Sequence, residues 1–290
     1  MATAEQIRAG DRAALTGVAF MSLAATLMAL DAVIVRLLTP QLHPFAIGFG
    51  RAVFGLMAVL PFIVARPAVL RMRYRWMHLL RAALKLGSLV AFFAAFARAP
   101  LADVTAIAFA SPLFVTLGAW LLLSEKPRRA RIPAMALGFV GVLIVLRPGQ
   151  GGGATDGLAL ALLGADGGDP APSQTDDGAR SDRALVSWNL ILTVPVAAVP
   201  AAFVWTAPSG IEWGLLALQG VLGAASMWLV TRALSLAEAS LIVPFEFLRL
   251  PIVAAIAYAL FAEAVPPATW IGGAAIFAGT VLMARTARRR

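Results

Sequence analysis

The chain has 290 residues, 60% of them hydrophobic and only 13% charged, with 24 basic against 15 acidic side chains and no cysteine. At about 20 apolar residues per crossing of a hydrocarbon core, this composition fills about ten membrane spans and leaves no stretch for a soluble cofactor domain. The cysteine count excludes disulfides and thiolate metal centres, and with His43 and His78 as the only histidines there is no HExxH, Walker or GxSxG pattern.

Apolar windows predict helices over 14–38, 44–65, 76–97, 101–123 and 131–147, a sixth starting at 157, then 184–205, 213–234, 240–261 and 268–284. The first is too long for a signal peptide and lacks a small-residue cleavage site, so it reads as an anchor. Basic residues set the direction, because Lys and Arg resist translocation. With the N-terminus inside, Arg8, Arg12 and the basic clusters at 66–81, 126–131 and 285–290 all fall on the cytoplasmic side. Arg36, Arg98 and Arg147 fall on the opposite side, and Arg51, Lys85 and Arg249 lie within spans. Ten crossings also return the arginine-rich C-terminus to the cytoplasm. The sixth span is the difficulty: 158–165 begins apolar, but 166–183 is rich in Asp, Gly and Pro. A centred carboxylate costs roughly 2.5–3.5 kcal/mol on insertion scales, so this atypical polar segment cannot face lipid.

The two halves of the chain repeat each other. Gly87 matches Gly223, Leu101-Ala102-Asp103 matches Leu236-Ala237-Glu238, and Pro112, Glu125 and Gly141 match Pro251, Glu263 and Gly279. Residues 1–150 and 151–290 are thus expected to be two five-helix repeats, and five spans being odd, the copies run in opposite senses through the membrane. The fold expected is an all-α membrane protein of ten transmembrane helices built as two inverted five-helix repeats.

These residues resemble the bacterial ten-helix EamA-type transporters of the drug/metabolite transporter superfamily. The resemblance rests on the short helix ending at Pro100-Leu101-Ala102-Asp103, on Ser111-Pro112-Leu113-Phe114 leading to Glu125, and on Leu250-Pro251-Ile252, Glu263 and Gly272, Gly273 and Gly279 in the second half. It implies a secondary transporter of the cell inner membrane, not an enzyme, exporting amino acids or similar small metabolites by alternating access. Among subfamilies it is most similar to amino-acid exporters.

Ionisable groups inside spans are costly and therefore candidates for function. Lys85 and Arg249 each lie about 13 Å along their helix from the cytoplasmic side, near the midplane. Glu246 and Asp31 supply the opposite charge, so the interior suits a zwitterion, with Asp31 also able to pair with Arg36 or Arg51 or to relay a proton. Three residues apart on one helix, Glu246 and Arg249 can equally neutralise each other. Trp228 lies deep in the eighth span beyond Gln219 and could stack a substrate side chain, or pack against lipid; the other tryptophans fall at span ends. Asn189 is a further polar candidate. The substrate-binding set expected is therefore Lys85, Trp228, Glu246, Arg249, Gln219 and Asn189, with Asp31, Pro112 and Pro251 as coupling or gating residues. The two prolines remove an N–H from the fourth and ninth helices and loosen their ladders. Ala134/Gly138 and Ala275/Gly279 are small-xxx-small pairs, read as packing within the bundle ahead of a dimer face. No cofactor, metal or nucleic acid is expected; the partners are a small molecule and the bilayer. The alternatives are a transporter of S-adenosylmethionine or organic cations, and a non-transporting membrane scaffold.

Overall fold

The protein is described by a computed structural model covering residues 4–65, 75–111, 113, 132–147, 178–236 and 239–288. Its helices are α1 (Ala4–Leu38), α2 (Pro44–Ala65), α3 (Arg75–Arg98), α4 (Leu101–Ala108), α5 (Ile132–Leu146), α6 (Gly178–Phe203), α7 (Gly210–Leu236), α8 (Ala239–Glu246), α9 (Arg249–Phe261) and α10 (Pro267–Arg288). No strand occurs among the described residues. Stretches Ala13–Leu38, Pro44–Pro61, Gly210–Leu236 and Pro244–Phe261 are long and apolar enough to cross a bilayer, and Ile132–Leu146, Ile191–Phe203 and Pro267–Leu282 are apolar but shorter. This is a multi-pass, all-helical membrane protein. The predicted sixth span, Pro112 and residues 166–177 lie outside the described residues, while α6 begins at Gly178, ahead of the predicted start at 184.

Helix starts follow local chemistry. The His43 ring nitrogen Nδ1 accepts the Phe45 N–H at 3.3 Å in the first turn of α2. At the start of α7, Ser209-Gly-Ile-Glu212 forms a reciprocal box: the Ser209 N–H donates to Glu212 Oε2 at 2.6 Å, and the Glu212 N–H to Ser209 Oγ at 3.4 Å.

Glycines bring the long helices together. A Cβ on Gly141 would sit 2.6 Å from the Gly272 carbonyl, and one on Gly279 2.7 Å from that of Ala134, so α5 and α10 cross at backbone contact. The small-xxx-small pairs thus pack inside the bundle, where near approach replaces the hydrophobic drive that lipid does not supply.

These contacts also fix helix directions. Along α5 and α10 the paired positions run oppositely, 141 with 272 and 134 with 279. Asp103 and Phe109 of the fourth span touch Thr269 and Thr280 in the same order, so that span runs parallel to α10. Phe20 meets Trp228 and Met21 packs with Ala233, near the end of α1 opposite Arg36. Arg36, Leu101, Arg147, Glu263 and Thr269 therefore gather at one end of the bundle, the Arg36 end. Tracing back from α10 through the short connections puts Gly178 at the other end, so Arg147 and Gly178 lie at opposite ends.

The helices predicted over 101–123 and 240–261 are interrupted. Helix α4 is eight residues long, turns at Phe109 and Ala110, and resumes helically at Ser111. Helix α8 is also eight residues long, turns at Phe247 and Leu248, and gives way to α9 at Arg249. Each turn is tightened into i→i+3 bonds, Ala110 N–H to Ile107 O at 2.9 Å and Leu248 N–H to Phe245 O at 3.2 Å. Pro251 explains the second break. It occupies the first turn of α9, where a proline N–H is not needed but a helix continuing from α8 would have required one. A single helix over 240–261 is thus replaced by two. Irregular backbone at this depth survives only inside protein or along a cavity, and the first interruption meets that condition: Ala110 is fully buried and Phe109 lines a cavity.

Candidate substrate-binding site

The two interruptions meet. The Phe109 and Phe247 rings lie 5.1 Å apart at 42°, and Phe247 and Phe277 of α10 lie 4.6 Å apart at 39°, tilted aromatic contacts. Around them opens a cavity of about 230 Å3 lined by Ala108, Phe109, Ser111, Glu246, Phe247, Phe277 and Thr280. The Thr280 hydroxyl lies 3.3 Å from the Phe109 carbonyl and 3.0 Å from that of Ile276, which ties α10 to the first break. The walls combine three aromatic faces with a carboxylate and two hydroxyls, the mix that a small-molecule pocket uses to hold a ring and orient a polar end.

Behind Glu246 stands a group of charges. Arg249, one turn further along, lies within electrostatic reach of Glu246, Asp31 and Arg51. Arg51 on α2 pairs with Asp31 on α1 through Nη1 and Oδ2. Its guanidinium occupies the space left by Gly223, where a Cβ would come within 2.6 Å of Nη2. Two acids and two arginines thus balance between α1, α2, α7 and the second break. Several of their atoms keep bonding capacity in reserve: Asp31 Oδ1, Arg249 Nε and both amide atoms of Gln219 are buried without a hydrogen-bond partner among the described residues. Orphaned buried polar atoms are costly, and a site that receives a polar solute is one setting that retains them.

A second polar cluster closes the Arg36 end. Arg36 Nη2 pairs with Glu263 Oε1 at 2.9 Å, while its Nη1 donates to the carbonyls of Phe96 and Ala99, the latter at 3.3 Å. The other Glu263 oxygen accepts the Leu101 N–H at 3.0 Å, satisfying an orphan donor at the start of α4. Beside it Thr269 donates to Asp103 Oδ1 and accepts from Arg147 Nη2 at 3.1 Å. Arg147 itself closes α5 in the left-handed region at φ 45°.

A family model described as the EamA-like transporter family matches residues 15–147, ending where α5 ends. A riboflavin transporter of Rhizobium johnstonii is 31% identical over 286 residues, covering 96% of this chain and 93% of its own length. The chain belongs to the EamA-like transporter family. Other relatives of this EamA-like protein are an S-adenosylmethionine uptake transporter of Rickettsia felis, 24% identical over 93% of this chain and 92% of its own, and a pseudopaline exporter of Pseudomonas aeruginosa, 28% identical over 68% and 71%. A solved crystal structure, 20% identical, superposes with a TM-score of 0.60 over 97% of this chain and 99% of that one, so the fold is shared.

In the EamA-like fold the predicted residues divide. Glu246 lines the cavity, Arg249 and Asp31 stand in the charge group behind it, and Gln219 is fully buried. Pro251 sits at the start of α9, next to the break, and Pro112 lies outside the described residues. Lys85 is half-buried on α3 and is not among the cavity residues; the Asn189 side chain is outside the described residues. Trp228 does not join the site. It is 57% exposed, against Phe20 at 6.0 Å. Nine residues separate it from buried Gln219, and at about 100° per residue that is about half a turn beyond two full ones, the opposite face of α7. Phe109, Phe247, Phe277 and Thr280 go unnoticed in the sequence, and Ser111 enters it only as part of the Ser111-Pro112-Leu113-Phe114 stretch, although the duplicated Pro112 and Pro251 point to the region. The duplicated acids Asp103 and Glu263 are the sequence trace of the cluster at the Arg36 end.

Proposed function

We propose that this EamA-like chain is a secondary transporter that exports an amino-acid-like metabolite across the bacterial inner membrane by alternating access. Its two inverted repeats are 1–150 and 151–290. The observation that carries this reading is the meeting of two interrupted helices around a cavity that holds Glu246 on one wall and three phenylalanines on the others. Transporters place substrate at such breaks because unwound backbone there can hold a solute and bend. Glu246 with Arg249 behind it suits the ammonium and carboxylate of a zwitterion, and the phenylalanine faces suit a flat side chain.

The helix directions support the inverted arrangement. Helix α2 packs on α7 and α3 on α6, pairs that an exchange of halves interconverts, and Arg147 and Gly178 lie at opposite ends, as a sixth crossing requires. The charge distribution supports cytoplasmic termini, with Arg36, Arg98 and Arg147 alone at the Arg36 end among the described residues. The aromatic wall also favours a second reading, a heterocyclic metabolite of the kind named for the riboflavin and S-adenosylmethionine relatives. Counterflow in proteoliposomes with labelled phenylalanine, riboflavin and S-adenosylmethionine tests both. Phenylalanine counterflow that falls about tenfold or more in Glu246→Gln, a loss of about 1.4 kcal/mol, is the expected result. Riboflavin or S-adenosylmethionine exchange alone favours the second reading, and no exchange of any solute by folded protein overturns transport through this cavity.

A further inference from the structure

The cluster at the Arg36 end lies apart from the cavity and joins six elements: the ends of α1, α3, α5 and α9 and the starts of α4 and α10. Its parts are interlocked. Glu263 carries one oxygen to Arg36 and the other to the α4 backbone, so a single side chain fastens the α9–α10 connection to both the first and the fourth spans. Thr269 does the same in the first turn of α10, holding Asp103 of α4 and Arg147 at the end of α5. Both attachments on α4 lie within its first turn, at Leu101 and Asp103, and α4 leads from there to the break at Phe109 that walls the cavity. The carboxylate pairs are only partly shielded, with the Arg36 and Glu263 side chains 26% and 18% exposed. They are covered enough to hold and wet enough to release.

We propose that Glu263 and Thr269 form the gate at the Arg36 end of the bundle, locking the start of α4 and so closing the cavity to that side. This rests on the transport reading above, which makes that end the external one. The gate opens when Glu263 releases the Leu101 N–H and Arg36 together, and the first half of the fourth span swings away from α10.

The chain has no cysteine, so Ser111→Cys in the cavity wall is a single thiol reporter. Its rate of reaction with a membrane-impermeant maleimide is measured in right-side-out and inverted membrane vesicles carrying the full-length protein. Reaction from the Arg36 side is expected to be slow in the parent. With Glu263→Gln it rises about tenfold, the shift that follows from losing about 1.4 kcal/mol, while reaction from the opposite side falls. Thr269→Val, which leaves Glu263 in place, moves both rates in the same directions. Unchanged rates in both variants, or an equal rise from both sides, which marks a loosened bundle, overturn the gate. Solute flux in the parent vesicles keeps the two ideas separate: flux with unaltered labelling removes the gate alone, whereas the one-sided labelling change stands as evidence for the gate even when every tested solute fails.

Discussion

At the scale of single residues, fit and charge decide what a position can hold. Gly141 and Gly87 are both glycines inside helices, but a Cβ on Gly141 meets the backbone of α10 while, among the described residues, nothing lies within 4 Å of one on Gly87. Gly141→Ala is therefore expected to cost about 1–3 kcal/mol through forced separation of α5 and α10, whereas Gly87→Ala is neutral or gains up to about 1 kcal/mol of helix propensity. Thermal unfolding in detergent of the two variants side by side checks the contrast; equal losses would show that the α5–α10 contact is not tight. Composition alone marks both positions as small and cannot tell them apart, because the difference lies in a partner helix more than a hundred residues away. Charge was more legible. Asp31, Glu246 and Arg249 stand out as ionisable groups in apolar spans, and the structure sets all three in one group with Arg51. What the sequence withheld there was pairing: Asp31 could reach Arg36 or Arg51 by spacing, and the bundle gives it Arg51 while Arg36 goes to Glu263.

At the scale of helices, the interruptions shape the cavity. A proline in a span signals a loosened ladder, and Pro251 indeed stands where α9 restarts, but hydropathy cannot distinguish a kinked span from one divided in two. The ninth span reads as one apolar run, and only its backbone hydrogen bonds reveal the turn at Phe247 and Leu248. Pro251→Ala supplies the missing N–H and lets the ladder run on from α8. The expected outcome is an unfolding temperature equal to or above that of the parent, with maximal counterflow lowered about tenfold as the hinge stiffens; flux at the parent level with a raised unfolding temperature would show that the break plays no part in turnover. The predicted span 101–123 begins where α4 begins, but Pro100-Leu101-Ala102-Asp103 was read as a helix end, and the eight-residue length of α4 was not legible, since its end packs against Phe247 and Thr280.

At the scale of the whole molecule, parity is the argument. Helices that touch must run either the same way or opposite ways, and the contacts of α5 with α10 and of α4 with α10 allow one assignment, with Arg147 and Gly178 at opposite ends. Epitope tags at the N-terminus, at the C-terminus and in the connection 204–209 check it in right-side-out vesicles. External protease is expected to cut the tag in 204–209 and spare both termini; cleavage of either terminus overturns the orientation. The multi-pass, all-helical character could be read early because hydrophobicity is summed over whole segments. The closing cluster could not, since its members lie as far apart in the chain as Arg36 and Glu263 and become neighbours only when the helices assemble.

Counting from the first residue of each eight-residue helix, Phe109 and Phe247 occupy equivalent places, but Ala108 corresponds to Glu246 and Ser111 to Arg249. The two turns thus present like aromatic shapes to the cavity, with a carboxylate beside only one of them. Under the proposed transport of a zwitterion, a dipolar guest would meet unlike hemispheres and take a single preferred orientation, giving the passage a built-in sense of head and tail.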